Sequence, residues 1–412
     1  MIQQFTLSNG LHVIAETLPH LRSASIGVWV RAGSIMENPK ENGLSHFIEH
    51  LAFKGTTHRS ARQIAREMDA AGGYLNAATS KLNTVYYAKV IDEDLPLAAD
   101  ILADIVIHPA YDPQEMDRER SVVLEEISMT DDSPEDVAYD LIAEAMFEDQ
   151  PLGRTILGPR HVIESCSRED ILAYRARYYS PDNACIAAAG NFETDRLRDL
   201  LEQHFGAWQG AAAEAYPESK VNAAPRVLTV NKDTEQAHLC LGYAGCAIGS
   251  DDVYPMAVFN SVLGGGMSSR LFQRIREESA LAYSIYSAPS SYPCCGDFII
   301  YAAVSPRNIR TAVSQIDEEI GLLLRDGMTE EEFIMAKAQL KGGFILGQES
   351  AYNRMNGMGS NLSLLGRHIP AEETIHRIET VTYEEAMRCA RETLQQKRSE
   401  AYAGRQIQKY LK

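Results

Sequence analysis

The sequence predicts an α+β chain of two similar halves, each an antiparallel-rich sheet flanked by helices in an α/β sandwich, related by internal duplication. Three observations lead there. The 412 residues exceed the usual size of one domain. The order of strand-like and helix-like segments in residues 1–208 repeats in residues 226–412. Between these halves "WQGAAAEAYPESKVNAAPRV" loses apolar periodicity and gathers Ala, Pro, Ser and Gly, which places a linker at 209–225.

Each element has a local cause. "MIQQFTLSNGLHVIAE" alternates around Asn9-Gly10, the pattern of a hairpin, and "ASIGVWVRAGS" continues as a strand. Helical spacing follows in "GLSHFIEHLAFKGT" and in "SARQIAREMDAAGG", which stops at Gly72-Gly73. "GYLNAATSKLNTVYYAKVI" is rich in Tyr, Val and Thr and predicts strands; "DEDLPLAADILADIVIHP" predicts a helix. "YDPQEMDRERSVVLEEISM" opens a helix with Asp112 at the N-cap and Pro113 at the first helical position. In the second half "HLCLGYAGCAI", "DVYPMAVFNSVLGG", "SSRLFQRIREESALAYSIYS" and "MTEEEFIMAKAQLKGGF" follow the same order.

Composition excludes several function classes. With 57 acidic and 39 basic residues the formal charge is -18, which argues against nucleic acid or an anionic membrane as partner. Seven cysteines show neither a C-x-x-C pair nor a disulfide framework, so a reducing compartment is expected. The first residues lack the apolar core of a signal peptide and no run reaches transmembrane length, so a cytoplasmic location is expected. "VLGGGMSSR" lacks the Lys-Ser/Thr ending of a phosphate loop and fits a close-packing turn.

The chemistry concentrates in "GLSHFIEHLAFKGT". On a helix His46 and His50 share a face, so both can offer a nitrogen to one ion, with Glu49 beside them. The order H-x-x-E-H presents to a zinc ion the same groups as H-E-x-x-H on a helix run the other way. Such a short string also arises on ordinary amphipathic helices, so a carboxylate on a second element is required. The helix from Asp112 offers one: Glu115, Glu119, Val122, Val123 and Glu126 recur at spacings of three and four. Glu119 and Glu126 lie two turns apart, so one can ligate while the other orients a histidine.

Together "NGLSHFIEHLAFKGT", "LNAATSKLNTVYYAKV", "VVLEEISM" and "LGGGMSSRLFQRIREESALAYSIYS" resemble the motifs, in order, of the pitrilysin/insulinase family of inverted-zincin metallopeptidases. Within it the chain resembles the branch of the mitochondrial processing peptidase and its bacterial relatives. The resemblance implies one Zn2+ per chain on His46, His50 and Glu126, with Glu49 as the base and Glu119 as the supporting carboxylate. It implies that Asn76 and Ala77 lie on an edge strand that takes the substrate as an added β-strand. Arg276 would hold substrate, and Tyr283 would hydrogen-bond near the scissile carbonyl. The expected activity is zinc-dependent endopeptidase cleavage of peptides or unfolded protein segments in a closed chamber. By the same resemblance the chain pairs as a homodimer, or as a heterodimer with a paralogue. A non-catalytic subunit of the same family is the rival; such chains lack zinc ligands, and this one keeps the full set.

Overall fold

The computed structural model describes residues 1–210 and 214–411; residues 211–213, within the expected linker, lie outside them. Two compact units form, and neither follows the linear halves. The first comprises Met1–Ile127, Thr155–Pro217 and Gly347–Ile369; the second comprises Ser128–Arg154, Glu218–Leu346 and Pro370–Lys412.

The first unit is built on six strands: β1 (Ile2–Thr6), β2 (His12–Thr17), β3 (Ser23–Val30), β4 (Tyr74–Thr79), β5 (Thr84–Ile91) and β6 (Ala184–Gly190). Their order is β1-β2-β6-β3-β5-β4, with only β2 and β6 parallel. The Asn9-Gly10 turn closes β1 onto β2 as the alternation predicts, with Gly10 at φ 91°. β6, "ACIAAAG", is buried along its whole length; its small side chains let helices approach both faces. One face is covered by the helix Leu95–Ile107 and the other by the helix Ala351–Leu365. The latter packs Met355 and Met358 against Ile14, Trp29, Cys185 and Ala187. Gly359 makes the approach possible, since a Cβ there would lie 2.5 Å from the Trp29 ring. An ion pair from Arg354 to Glu16, 2.6 Å long, adds to the contact.

The second unit holds β7 (Val227–Asn231), β8 (Ala237–Gly245), β9 (Ala282–Ser291), β10 (Gly296–Val304) and β11 (Ser399–Gly404), in the order β7-β11-β8-β10-β9. Again one pair, β7 with β11, is parallel and the rest are antiparallel. This repeats β2-β6-β3-β5-β4 strand for strand, the duplication that the sequence predicts. Phe259, from the helix Val253–Leu263, meets Phe298 on β10 with ring centroids 5.0 Å apart in the core, to which the helix Tyr383–Leu394 also contributes. The opposite face is covered by the helix Pro134–Phe147.

The two covering helices explain why the units depart from the expected division into 1–208 and 226–412. Pro134–Phe147 is encoded in the first half and packs on the second sheet; Ala351–Leu365 is encoded in the second half and packs on the first. An amphipathic pattern records that a helix has an apolar face, not which sheet it covers. A chain cut after residue 210 would therefore leave Trp29 and Ile14 without their cover. The start of the linker also packs: the Tyr216 hydroxyl donates to the Leu82 carbonyl (3.0 Å), and the Arg31 guanidinium stacks 4.6 Å from the Tyr216 ring.

Candidate metal centre

The first ligand helix, Leu44–Ala52, begins at Gly43, whose φ of 102° and close approach to the Leu157 carbonyl require glycine. Its N-terminus is capped from a distance. The Glu37 carboxylate accepts from the backbone N–H of Gly43 (2.8 Å) and Ser45 (2.7 Å) and from the Asn42 amide (3.0 Å). Burial pushes Glu37 upward from its ordinary pKa, and those hydrogen bonds oppose the shift. Leu44, Phe47, Ile48 and Leu51 anchor the apolar face in the core. His46, Glu49 and His50 are left on the remaining face.

The second helix, Pro113–Asp132, starts where expected, with the Asp112 carboxylate accepting from the N–H of Gln114 (2.9 Å) and Glu115 (3.2 Å). Its buried stripe is Met116, Glu119, Val123 and Ile127. Glu119 is thus held inside and Glu126, at the edge of the stripe, is 41% exposed. Glu125 points to solvent, Glu115 pairs with Arg118, and Val122 is exposed, so those members of the predicted stripe stand apart from the centre.

Three side chains converge from these helices. His46 Nε2 and His50 Nε2 are 3.2 Å apart, and Glu126 Oε2 lies 3.7 Å from the first and 3.4 Å from the second. Among the described residues this is the group whose donor atoms all lie within 4.8 Å of one another. Its dimensions suit zinc. Tetrahedral bonds of about 2.0–2.1 Å would place two nitrogens about 3.3 Å apart, and two imidazoles with a carboxylate are zinc donors. Burial and the neighbouring His50 push His46 down to about 4, so its imidazole is neutral near pH 7, as a ligand must be.

The surroundings orient these donors. His50 Nδ1 donates to Glu119 Oε1 at 2.9 Å, which leaves Nε2 as its acceptor. Lys54 Nζ holds the other Glu119 oxygen at 2.6 Å. Burial raises Glu119, but the bonds from His50 and Lys54 outweigh it and its pKa falls below the ordinary value. For His50, burial opposes the cation, while the bond to Glu119 and the charge of Glu126 outweigh it and raise its affinity for a proton. A bound metal competes with that proton for Nε2.

Glu49 is fixed by a residue that sequence reasoning missed. Thr79 Oγ1, on β4, donates to Glu49 Oε2 at 2.5 Å; burial raises the Glu49 pKa, and the Thr79 bond opposes this. The only hint in the sequence is that Thr79 lies two residues beyond Ala77 and so shares its strand face. Thr79→Val is expected to lower turnover about tenfold while leaving bound zinc unchanged, and Thr79→Ser to restore it. Turnover and zinc content measured on the same samples check this.

Asn76 and Ala77 lie on β4, the edge strand of the first sheet. There the Ala77 N–H donates to Asn76 Oδ1 (2.9 Å), and Asn76 Nδ2 donates to the Tyr74 hydroxyl (2.8 Å). Arg276 and Tyr283 belong to the second unit, on a π-helical turn, Phe272–Glu278, and on β9. They are neighbours: the Arg276 guanidinium lies 4.7 Å from the Phe272 ring and 5.6 Å from that of Tyr283, which is 74% exposed.

Comparison with known proteins places this geometry. The family model described as insulinase (Peptidase family M16) matches residues 12–160, and that described as peptidase M16 inactive domain matches residues 165–340. The zinc protease YmxG of Bacillus subtilis is 41% identical over 95% of this chain and 95% of its own. This chain belongs to peptidase family M16. A zinc protease of Mycobacterium tuberculosis is 40% identical over 97% of the chain and 92% of its own. In the M16 fold the likeness extends to the crystal structure of a protease from Helicobacter pylori, with a TM-score of 0.92 and 24% identity over 98% of this chain and 99% of that one. The whole candidate cluster, with Glu49 and Glu119 beside it, falls within the insulinase match, and the described residues of the other half hold no counterpart. No helix among the described residues is long and apolar enough to cross a membrane.

Proposed function

We propose that the chain is an endopeptidase that cuts peptides and extended protein segments laid as an added strand along β4, with zinc held by His46, His50 and Glu126. That it is a zinc-dependent metallopeptidase follows from relatives at 35–41% identity that bear the name along most of its length. The observation that carries the finer reading is the convergence of two imidazole nitrogens and a carboxylate beside a half-buried glutamate whose partner, Thr79, sits on that edge strand. Zinc, when bound, supplies Lewis acidity, polarising a carbonyl and lowering the pKa of water to about 7.

The protein's own groups do the rest. Glu49 accepts the proton of the attacking water and delivers it to the leaving amine nitrogen, and burial makes its carboxylate a better base than an exposed one. Glu119 fixes the ring of His50, and Lys54 fixes Glu119. The substrate backbone takes over the Ala77 amide from Asn76, so binding depends on main-chain hydrogen bonds and tolerates many sequences. Arg276 holds substrate, and the exposed Tyr283 hydroxyl donates to the developing oxyanion. The working form encloses its substrate as a dimer, of identical chains or with a paralogue.

Strand addition demands an unfolded substrate. One target sequence, presented free and inside a stable folded domain, is expected to be cut in the first setting and spared in the second. Equal rates, measured by mass spectrometry of the products, would overturn the strand-addition reading.

A further inference from the structure

Beside the edge strand lies a lysine whose side-chain partners among the described residues are aromatic. Lys89 on β5 is opposite Tyr74 in the β4–β5 register, so both point to the sheet face covered by the helix Ala351–Leu365. Its ammonium lies 3.8 Å from the ring centroid of Tyr352 on that helix, 5.2 Å from that of Tyr74 and 5.9 Å from that of Tyr87. The rings also touch one another, Tyr87 with Tyr352 at 5.0 Å and Tyr74 with Tyr87 at 6.2 Å. Among the described residues no carboxylate pairs with Lys89.

The second sheet supplies a control. At the same place, on its edge strand β9, on β10 and on its own covering helix, Tyr286, Tyr301 and Tyr139 form a like cluster. There the Tyr139 hydroxyl donates to that of Tyr286 at 2.6 Å and the Tyr301 hydroxyl bonds His238 Nδ1 at 2.7 Å, and among the described residues no lysine or arginine lies over these rings. The rings therefore belong to the repeated fold, and the lysine is particular to the half that bears the metal-ligand cluster. Ring faces hold an ammonium without supplying a counter-charge, so an incoming anion meets Lys89 in a fixed position.

We propose that Lys89, caged by Tyr74, Tyr87 and Tyr352, is a specificity subsite for a carboxylate on the peptide substrate. The proposal rests on strand addition at β4. A peptide paired with β4 directs alternate side chains to the two sheet faces. Those facing Leu75, Ala77 and Thr79 lie on the side of Glu49; those beside Tyr74 lie on the side of Lys89. Tyr74 precedes Thr79 by five residues, roughly 16 Å of strand, so the favoured carboxylate falls about three to six residues from the cut bond.

The test uses the zinc-loaded full chain and a set of ten-residue peptides in which one Glu, or a matched Gln, is moved along an otherwise constant sequence. At one position Glu is expected to lower KM about fivefold relative to Gln with kcat unchanged. Lys89→Met, which keeps an apolar stem on Tyr352, is expected to bring that ratio to one, and Lys89→Glu to favour a Lys peptide instead. Amidated peptides separate the two sources of the carboxylate: a Glu-over-Gln ratio that survives amidation belongs to a side chain, whereas a KM of the Gln peptides that rises on amidation in the parent and not in Lys89→Met belongs to the C-terminus. Binding of the same peptides to Glu49→Gln, followed by fluorescence anisotropy, reads the subsite without cleavage. Equal KM and equal binding for Glu and Gln at every position, or a preference unchanged in Lys89→Met, would overturn the subsite while leaving the peptidase intact. Selective binding lost in Lys89→Met, without cleavage of any peptide by the parent chain, would overturn the peptidase reading and uphold the subsite.

Discussion

Glu49→Gln is expected to bind zinc as the parent chain does and to lose about 100- to 10,000-fold in turnover. The amide keeps the shape of the side chain and can still accept the Thr79 hydroxyl bond, which spans 2.5 Å in the parent. It cannot take a proton near neutral pH. Neither His46 nor His50 loses a partner, because the metal-facing nitrogens and the Glu119 bond do not involve Glu49. Zinc content by elemental analysis and peptide hydrolysis on the same preparation separate the two effects. Turnover at the parent rate in the zinc-loaded variant would remove Glu49 from the mechanism.

The second large effect concerns the third ligand. Glu126→Gln is expected to weaken zinc binding by roughly 100-fold or more, and Glu125→Gln to leave it unchanged. Successive residues on a helix point about 100° apart, so only one of the two can meet the histidines. Glu126 does so at 3.4 and 3.7 Å, whereas Glu125 is exposed. Glu119→Gln should fall between them, about 10- to 100-fold, since its amide oxygen can still accept from His50 but the negative charge that supports the ring and pairs with Lys54 is lost. Competition against a chromogenic chelator measures all three. Retained affinity in Glu126→Gln with loss in Glu125→Gln would reverse the assignment.

Much of this site was legible because its determinants are local. The spacing of His46, Glu49 and His50 is set by one helical turn, and the start of the carboxylate helix is set by Asp112 and Pro113, both of which act within three residues. Spacing along that helix also brought Glu119 and Glu126 forward, although it grouped them with Val122 and Glu115, which face solvent or pair elsewhere. What escaped was fixed by contacts distant in sequence. Glu37 caps the histidine helix across a turn, Thr79 reaches Glu49 from another strand, and Lys54 reaches Glu119 from beyond the end of the histidine helix. The exchange of covering helices escaped for the same reason: Met355 and Met358 carry no sign in the chain that Trp29, more than 300 residues earlier, is their partner.

On the proposed function, one zinc ion in the first unit makes this chain a catalyst rather than a binding partner. Stripping the full chain of metal, titrating zinc back and recording bound zinc and hydrolysis of an extended peptide library in parallel tests it most directly. No hydrolysis is expected without zinc, and activity is expected to return in step with occupancy and to saturate at one zinc per chain. Saturation at one zinc with no peptide cut, or hydrolysis that survives removal of the metal, would contradict it.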